Sequence, residues 1–334
     1  MVVVDRAGAS SRNGGEEAIV KQAAAPPDAK WTGPVHPGVK APEPIRLPNP
    51  ATRFVATAQR LKQLAINHPL NPWLEFLSAL SLAQHAAVTS VSHEAVNISM
   101  MRMSVDARMP PLAADGHTRA LCWRDGLDLL LDGIDKATLP EATRVAVEQL
   151  RTLPAELREA LADRFLRGTL EADEVAHAVL VAAALQVYFT GLSARLPVSE
   201  LRLLEERGLC PSCGSPPVVS VITATGVIPG SRYLHCSLCS TAWNHMRATC
   251  VTCRGTRKLS LTSIEGDSGL VKAETCGECH TYSKIFYQAQ DTGIDPYADD
   301  LASLGLDILV AEEGFARHAP NPFLLSNAVD AATA

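Results

Sequence analysis

The chain has 334 residues, 47% of them hydrophobic and 20% charged, with a formal net charge of -6 and a pI near 5.9. The length admits two domains of ordinary size, and the apolar content suffices to fill their cores. So mild an acidic balance argues against a general nucleic-acid or membrane-surface binder.

The chain opens Met-Val-Val-Val-Asp5-Arg6, an apolar run of three residues that is too short for the core of a signal peptide and lacks a twin arginine. A cytoplasmic protein is the expectation. Eight prolines follow between Pro26 and Pro50. That composition buries too little surface to offset ordering, so residues 1–43 are expected to form a disordered Pro/Ala-rich tail. Ile45, Leu47 and the Pro48-Asn-Pro50 turn then lead into the fold.

Helical periodicity begins at Ala51, with Phe54, Ala58, Leu61, Leu64 and Ala65 recurring at spacings of three and four until His68-Pro69. Asn71 is placed to cap a second helix whose first position is Pro72 and whose buried stripe is Trp73, Phe76, Leu77, Leu80 and Ala83. The stretch from Val88 to Met103 has no clear period, and Pro110-Pro111 closes it. His117 to Lys136 reads as another helix, in which Cys122 is a structural thiol on an apolar face. Thr138-Leu-Pro140 and Thr152-Leu-Pro154 each open a further helix. Asp173 begins a long apolar one that ends near Pro197, and Ser199 caps a short one into Gly208. Val175 to Leu192 is the most apolar stretch, yet it carries His177, Gln186 and Tyr188 and is short for a membrane span. A buried helix is expected there, and residues 44–206 are read as a helical bundle.

Eight of the nine cysteines lie between Cys210 and Cys279, as four CxxC pairs. Adding 40 to Cys210, Cys213, Cys236 and Cys239 gives Cys250, Cys253, Cys276 and Cys279, so one unit of two pairs is written twice. Within a unit 22 residues separate the pairs, enough for two short strands and a turn, whereas ten separate Cys239 from Cys250. A CxxC turn aims two thiolates at one ion, and two such turns complete a four-sulfur shell. Two mononuclear metal sites are therefore predicted: Cys210, Cys213, Cys236 and Cys239 in residues 207–246, and Cys250, Cys253, Cys276 and Cys279 in residues 247–290. Four disulfides would need an exported chain. Val219 and Val221 in one unit, and Leu259 and Leu261 in the other, alternate as strand residues do. Gly226 and Gly266 mark equivalent turns, and Gly214 and Gly277 lie beside ligand cysteines. From Glu206 to Gln290 eight Lys or Arg face five Asp or Glu, a mild excess that can offset thiolate charge locally.

His235 and His280 adjoin ligand cysteines, but with four sulfurs already in each unit they are expected outside the ligand shell. For Trp243-Asn-His245-Met-Arg247 between the units, a surface recognition patch and packing of one unit on the other explain the residues equally. Residues 291–334 read as a helix started by Asp295-Pro296, with Asp299 and Asp300 at its N-terminal end, then a docking tail anchored by Asn321 to Leu325. Carboxylate pairs such as Glu205-Glu206 and Asp299-Asp300 are read as solvated faces or helix ends. No nucleophile elbow, phosphate loop or dinucleotide fingerprint occurs, so no enzyme is expected.

The runs Cys210-Pro-Ser-Cys-Gly-Ser-Pro-Pro-Val and Arg232-Tyr-Leu-His-Cys-Ser-Leu-Cys-Ser-Thr-Ala-Trp-Asn-His-Met-Arg247 resemble the formate dehydrogenase accessory protein family, FdhE. So do Cys250-Val-Thr-Cys253, Glu274-Thr-Cys-Gly-Glu-Cys-His280, the tail from Ala298 to Leu325, and Arg60-Leu61 with His68-Pro69-Leu70 upstream. The resemblance implies a cytoplasmic maturation factor for respiratory formate dehydrogenases, acting on the catalytic subunit before export. It also implies rubredoxin-like iron held by the eight cysteines. Geometry alone admits iron or zinc, and only the likeness favours iron. The fold class expected is α+β, mainly α: an N-terminal helical bundle followed by two tandem rubredoxin-like or zinc-ribbon-like four-cysteine knuckle domains. A rubredoxin-type electron carrier and a zinc-ribbon nucleic-acid binder are the alternatives. The expected partner is a formate dehydrogenase catalytic subunit, with no nucleic acid and no membrane insertion, and self-association is left open.

Overall fold

The computed structural model describes residues 2–5, 40–135, 139–319 and 321–324. Helix α1 (Pro50–Leu64) is capped by Asn49, whose side chain accepts from the Ala51 amide, and it buries Phe54, Ala58 and Leu61. Helix α2 (Asn71–Ser90) starts one residue earlier than expected, with Pro72 in its first turn. Asn71 is therefore not its cap; the side-chain amide donates to the Ala65 carbonyl at 2.9 Å and ties α2 to the end of α1. The aperiodic stretch divides into the end of α2, an extended link and a short α3 (Ile98–Asp106) capped by Asn97.

Helix α4 (Cys122–Gly133) is shorter than its apolar pattern suggested. The Ala120 amide bonds outward to the Tyr188 hydroxyl at 3.0 Å, which keeps the residues before Cys122 out of the helix. Helices α5 (Glu141–Thr152) and α6 (Ala155–Arg167) start directly after Pro140 and Pro154. Helix α7 (Val175–Ser193) is the axis of the bundle. From Leu180 to Ser193 every residue is buried, so no face is left for solvent. The segment Ala172–Ser193 is long and apolar enough to cross a membrane, but 78% of its most apolar window is buried inside the fold, as the core-helix reading requires. Beyond it, the expected helix from Ser199 is a single 3-10 turn (Val198–Glu200). It stops because Leu201 is extended and its side chain fills the bundle core.

The cysteine region is a sheet. Strands β3 (Pro217–Ile222), β4 (Arg232–Cys236) and β5 (Ala242–His245) form one antiparallel meander. Strands β6 (Leu259–Ile264), β7 (Val271–Cys276) and β8 (Thr281–Tyr287) form a second. The 40-residue repeat thus extends to whole strands. Gly226 and Gly266 both have positive φ, 105° and 82°, in the turns of the two first hairpins. The meanders join edge to edge, because β3 pairs with β8 in parallel, Ser220 opposite Ile285 and Ile222 opposite Tyr287. Short pieces from elsewhere extend the sheet: β1 (Val2–Asp5) on β6, β2 (Ile45–Arg46) on β5, and β9 (Ala316–Arg317) in parallel on β8. The remainder of the expected tail, through residue 39, lies outside the described residues.

Helices α8 (Ala298–Ala302) and α9 (Leu304–Glu312) follow the sheet, the first started by Asp295, whose side chain accepts from the Tyr297 and Ala298 amides. Leu306 and Val310 pack with Val219, Val221, Tyr282 and Phe286 in a core of their own. Asp299 and Asp300 are not solvated helix-end charges. Asp299 takes Arg60 of α1 at 2.7 Å; Asp300, fully buried, takes Lys284 of β8 at 2.8 Å and Asn321 at 2.8 Å. Lys284 also meets Asp307 at 2.6 Å, so buried cation and anions are paired and hydrogen-bonded together. The expected anchor at the tail is seen in Asn321 and Phe323, both buried; Leu325 lies outside the described residues.

Candidate metal centres

Each CxxC pair forms a knuckle of one design. The residue after the second cysteine takes a left-handed backbone: Gly214 (φ 79°), Ser240 (61°), Arg254 (63°) and His280 (55°). That twist lets the chain fold back, and the amides of Gly214, Arg254 and His280 reach the carbonyls of Cys210, Cys250 and Cys276 at 2.9, 3.1 and 2.9 Å. The first cysteine's own amide is used as well: Cys210 donates to Ser215, Cys236 to Thr241 and Cys250 to Gly255. Amides are also aimed at sulfur, Leu238 and Cys239 at Cys236 Sγ (3.4 and 3.3 Å) and Gly255 at Cys253 Sγ (3.4 Å). Such donors favour the thiolate. Gly214 makes the tight turn that a glycine beside a ligand cysteine suggests, but its amide goes to the Cys210 carbonyl rather than to a sulfur. Gly277 instead lies against Lys258, where an added Cβ would come within 3.3 Å.

The two knuckles of each unit meet. Cys210 Sγ lies 3.5 Å from Cys239 Sγ and Cys213 Sγ 3.4 Å from Cys236 Sγ; in the second unit Cys250 to Cys279 and Cys253 to Cys276 are both 3.7 Å. Within each group all four sulfurs lie within 4.8 Å of one another. A tetrahedron with metal–sulfur bonds of about 2.3 Å has edges of about 3.8 Å, so both groups fit one ion each. They are the two such groups found among the described residues.

Their settings differ. All four cysteines of the first centre are buried and belong to the hydrophobic core of the helical bundle. Three polar residues of α7 face its second knuckle: Gln186 donates to the Ser237 carbonyl at 2.8 Å, Thr190 lies 3.2 Å from Ser240 Oγ and Ser193 2.7 Å from Thr241 Oγ1. The first knuckle is held from the other side by the amides of Leu112 and Ala114, both 2.9 Å from the carbonyls of Ser212 and Cys213. The Tyr297 hydroxyl closes a third side, donating to the Cys236 carbonyl, while Arg53 lies 3.4 Å over its ring. In the second centre Cys250 and Cys276 are buried, Cys279 is half-buried and Cys253 is exposed. Between the units, Arg232 and Glu274, 1% and 7% exposed, form a forked pair at 2.8 and 3.2 Å that stitches β4 to β7.

Four sulfurs within 4.8 Å of one another cannot all ionise without a counter-charge. Burial, with the neighbouring thiols, pushes Cys210 and Cys236 well above the usual thiol range, while hydrogen bonds from those thiols and Thr241 hold Cys239 below it against burial. In the second centre burial opposes ionisation of Cys279, but the Thr281 hydroxyl and amide and nearby thiols bring it down to about 7. Cys253 is pushed up to about 12: the Gly255 amide favours its thiolate, and burial with the three other sulfurs outweighs it. A divalent cation resolves both conflicts at once.

All eight predicted cysteines are thus brought together, in the pairing the repeat prescribed. The histidines are not among them. His235 packs edge-on against Tyr297, and burial, with Arg53 and Arg46, lowers its pKa to about 3; His280 stacks on Phe315. In the segment around His245, Trp243 and His245 are taken up in packing, whereas Arg247 is exposed. Trp243 is fully buried with its indole N–H on the Arg207 carbonyl, and His245 is buried in β5, although Met246 is exposed. Cys122 stands apart from both centres, its thiol pushed up by burial.

Three family models match in succession: FdhE, N-terminal, over residues 42–206; FdhE, central domain, over 209–247; and FdhE, C-terminal domain, over 248–324. A protein FdhE homolog of Edwardsiella ictaluri is 38% identical over 282 residues, spanning 84% of this chain and 91% of that relative. Another from Actinobacillus pleuropneumoniae serotype 3 is 37% identical over 283 residues, spanning 84% of this chain and 92% of the relative. The crystal structure of the FdhE protein from Pseudomonas aeruginosa superposes with a TM-score of 0.76 at 35% identity, covering 86% of this chain and all of that one. The chain belongs to the FdhE family.

Proposed function

We propose that this member of the FdhE family is a non-catalytic accessory factor for formate dehydrogenase. In this reading it holds one metal ion in each four-cysteine centre and offers the platform so formed to the immature catalytic subunit in the cytoplasm. The observation that carries the reading is the pair of four-sulfur groups, each close enough to share one ion and both built into a single sheet fused to a helical bundle. The ligands we assign are Cys210, Cys213, Cys236 and Cys239 for the first ion, and Cys250, Cys253, Cys276 and Cys279 for the second. The four-sulfur shell accepts iron or zinc, and the family likeness favours iron. Bound iron would add one-electron chemistry to the cross-link that any such ion supplies.

An accessory role accords with the chemistry of both centres. Four protein sulfurs complete a tetrahedral shell and leave no open position of the kind a catalytic zinc keeps. The fold boundaries we assign are a bundle over residues 44–206, knuckle units over 207–246 and 247–290, and a C-terminal docking segment from 291. The test is anaerobic purification with metal identification and capture of formate dehydrogenase catalytic subunit by the tagged chain. About two ions per chain and recovery of that subunit are expected. Absence of metal overturns the centre assignment. Metal without capture overturns the partner. Reversible iron reduction with rapid exchange to a reductase, and no capture, would favour the electron-carrier reading.

A further inference from the structure

The repeat that places the cysteines also places two hydroxyls beside each centre. In the first centre Thr241 Oγ1 lies 3.2 Å from Cys239 Sγ and 3.0 Å from Ser212 Oγ. Forty residues on, Thr281 Oγ1 lies 3.1 Å from Cys279 Sγ and 2.8 Å from Thr252 Oγ1. The sequence reading missed these four residues, although the same shift of 40 relates Ser212 to Thr252 and Thr241 to Thr281.

The two hydroxyl pairs end differently. Thr241 meets Ser193 of α7 at 2.7 Å, inside the bundle core. Thr252 meets the Nδ1 of His318 at 2.8 Å. His318 comes from the far end of the chain and is carried there by β9, the Ala316 amide donating to the His280 carbonyl and the His318 amide to that of Tyr282. The C-terminal segment therefore delivers an imidazole to the rim of the second centre.

The direction of the chain of hydrogen bonds follows from its end. A metal-bound thiolate only accepts, so the single Thr281 hydroxyl proton points at Cys279 Sγ. Thr281 Oγ1 must then accept from Thr252, and Thr252 Oγ1, its proton used, must accept from His318 Nδ1–H. We infer that His318 is a positioning residue of the second centre: through Thr252 and Thr281 it fixes a hydroxyl donor on the Cys279 sulfur. This rests on the reading of the four cysteines as a metal site. The need for it arises from exposure. The first centre is enclosed by the bundle, whereas Thr252 and Cys253 face solvent, where an unfixed threonine hydroxyl would turn to water. Residues that hydrogen-bond a metal ligand without touching the ion change metal affinity about 10- to 100-fold when removed.

The test uses the full chain loaded with Zn²⁺ alone, and reads iodoacetamide alkylation at each cysteine by mass spectrometry alongside zinc release to a chelator. In Thr252→Val and in His318→Leu, alkylation of Cys279 and release of one of two zinc equivalents should be about 10-fold faster. Cys239 and the other equivalent should behave as in the unaltered chain, and His318→Asn, which keeps an N–H donor, should restore most of the protection. If His318→Leu fails to fold, Thr252→Val at its exposed position carries the test. Unchanged Cys279 reactivity in a chain that holds two zinc ions refutes the inference alone, as does uniform acceleration at all eight cysteines. A chain that binds no zinc refutes the metal reading and the inference with it.

Discussion

Replacing one ligand in each centre should have unequal consequences. Cys236 is fully buried, its sulfur takes the Leu238 and Cys239 amides, and its knuckle is fastened to Gln186, Thr190 and Ser193 of the bundle's axial helix. In Cys236→Ser the ion proposed for the first centre should be lost. Structural zinc contributes about 10 to 16 kcal/mol in small peptides, and a stranded buried polar group costs about a further 1 to 3 kcal/mol. Whole domains are stable by only about 5 to 15 kcal/mol, so bundle and sheet should fail together. Cys253 is exposed and its sulfur takes the single amide of Gly255. Losing the second ion should loosen the knuckles at 250–255 and 276–281, leaving the first centre and the core beneath α9 intact. The assay is metal content per chain with amide hydrogen exchange. Cys253→Ser should retain one ion, with protection lost in those knuckles alone, whereas Cys236→Ser should be insoluble or globally unprotected. A soluble Cys236→Ser chain that keeps one ion and unfolds at the unaltered urea midpoint would refute the argument that the first centre is part of the common core.

Other consequences follow from individual contacts. Arg232→Met should cost about 3 to 5 kcal/mol in urea unfolding, because it strands the buried Glu274 carboxylate, and adding Glu274→Leu should recover most of that loss. At Gly191 of α7 an added Cβ would lie 1.6 Å from His93 Nε2, so Gly191→Ala should destabilise by about 1 to 3 kcal/mol, with partial rescue by His93→Ala. His245 has its pKa lowered from 6.5 to about 4, by burial first and by Arg232 second. The unfolded chain therefore binds the extra proton between those values, and stability falls as pH drops through that window. The loss is about 3 kcal/mol by pH 4, measured as the difference in urea midpoint between the unaltered chain and His245→Asn, whose pH dependence should be shallower by that amount.

The sequence alone specifies how the cysteines group into two sets of four. Eight cysteines repeated at a shift of 40 residues specify which pairs belong together, and the structure gathers the sulfurs of each set within 4.8 Å of one another. It also determined that Val175 to Leu192 is a core helix, since His177, Gln186 and Tyr188 interrupt its apolar run. Both are local matters, set by spacing within a few turns or one hairpin. Three features needed the tertiary structure. The left-handed residues that close the knuckles are a serine, an arginine and a histidine as well as a glycine, because hydrogen bonds around the sulfurs outweigh the backbone cost that glycine would avoid. The two repeats become one sheet through the parallel pairing of β3 with β8, and one centre is buried while its copy is half-exposed. His318 reaches the second centre from outside the repeat altogether. Nothing in a repeat distinguishes its copies; what differs is which distant segment packs on each, and pairings separated by tens of residues leave no period in the sequence to read.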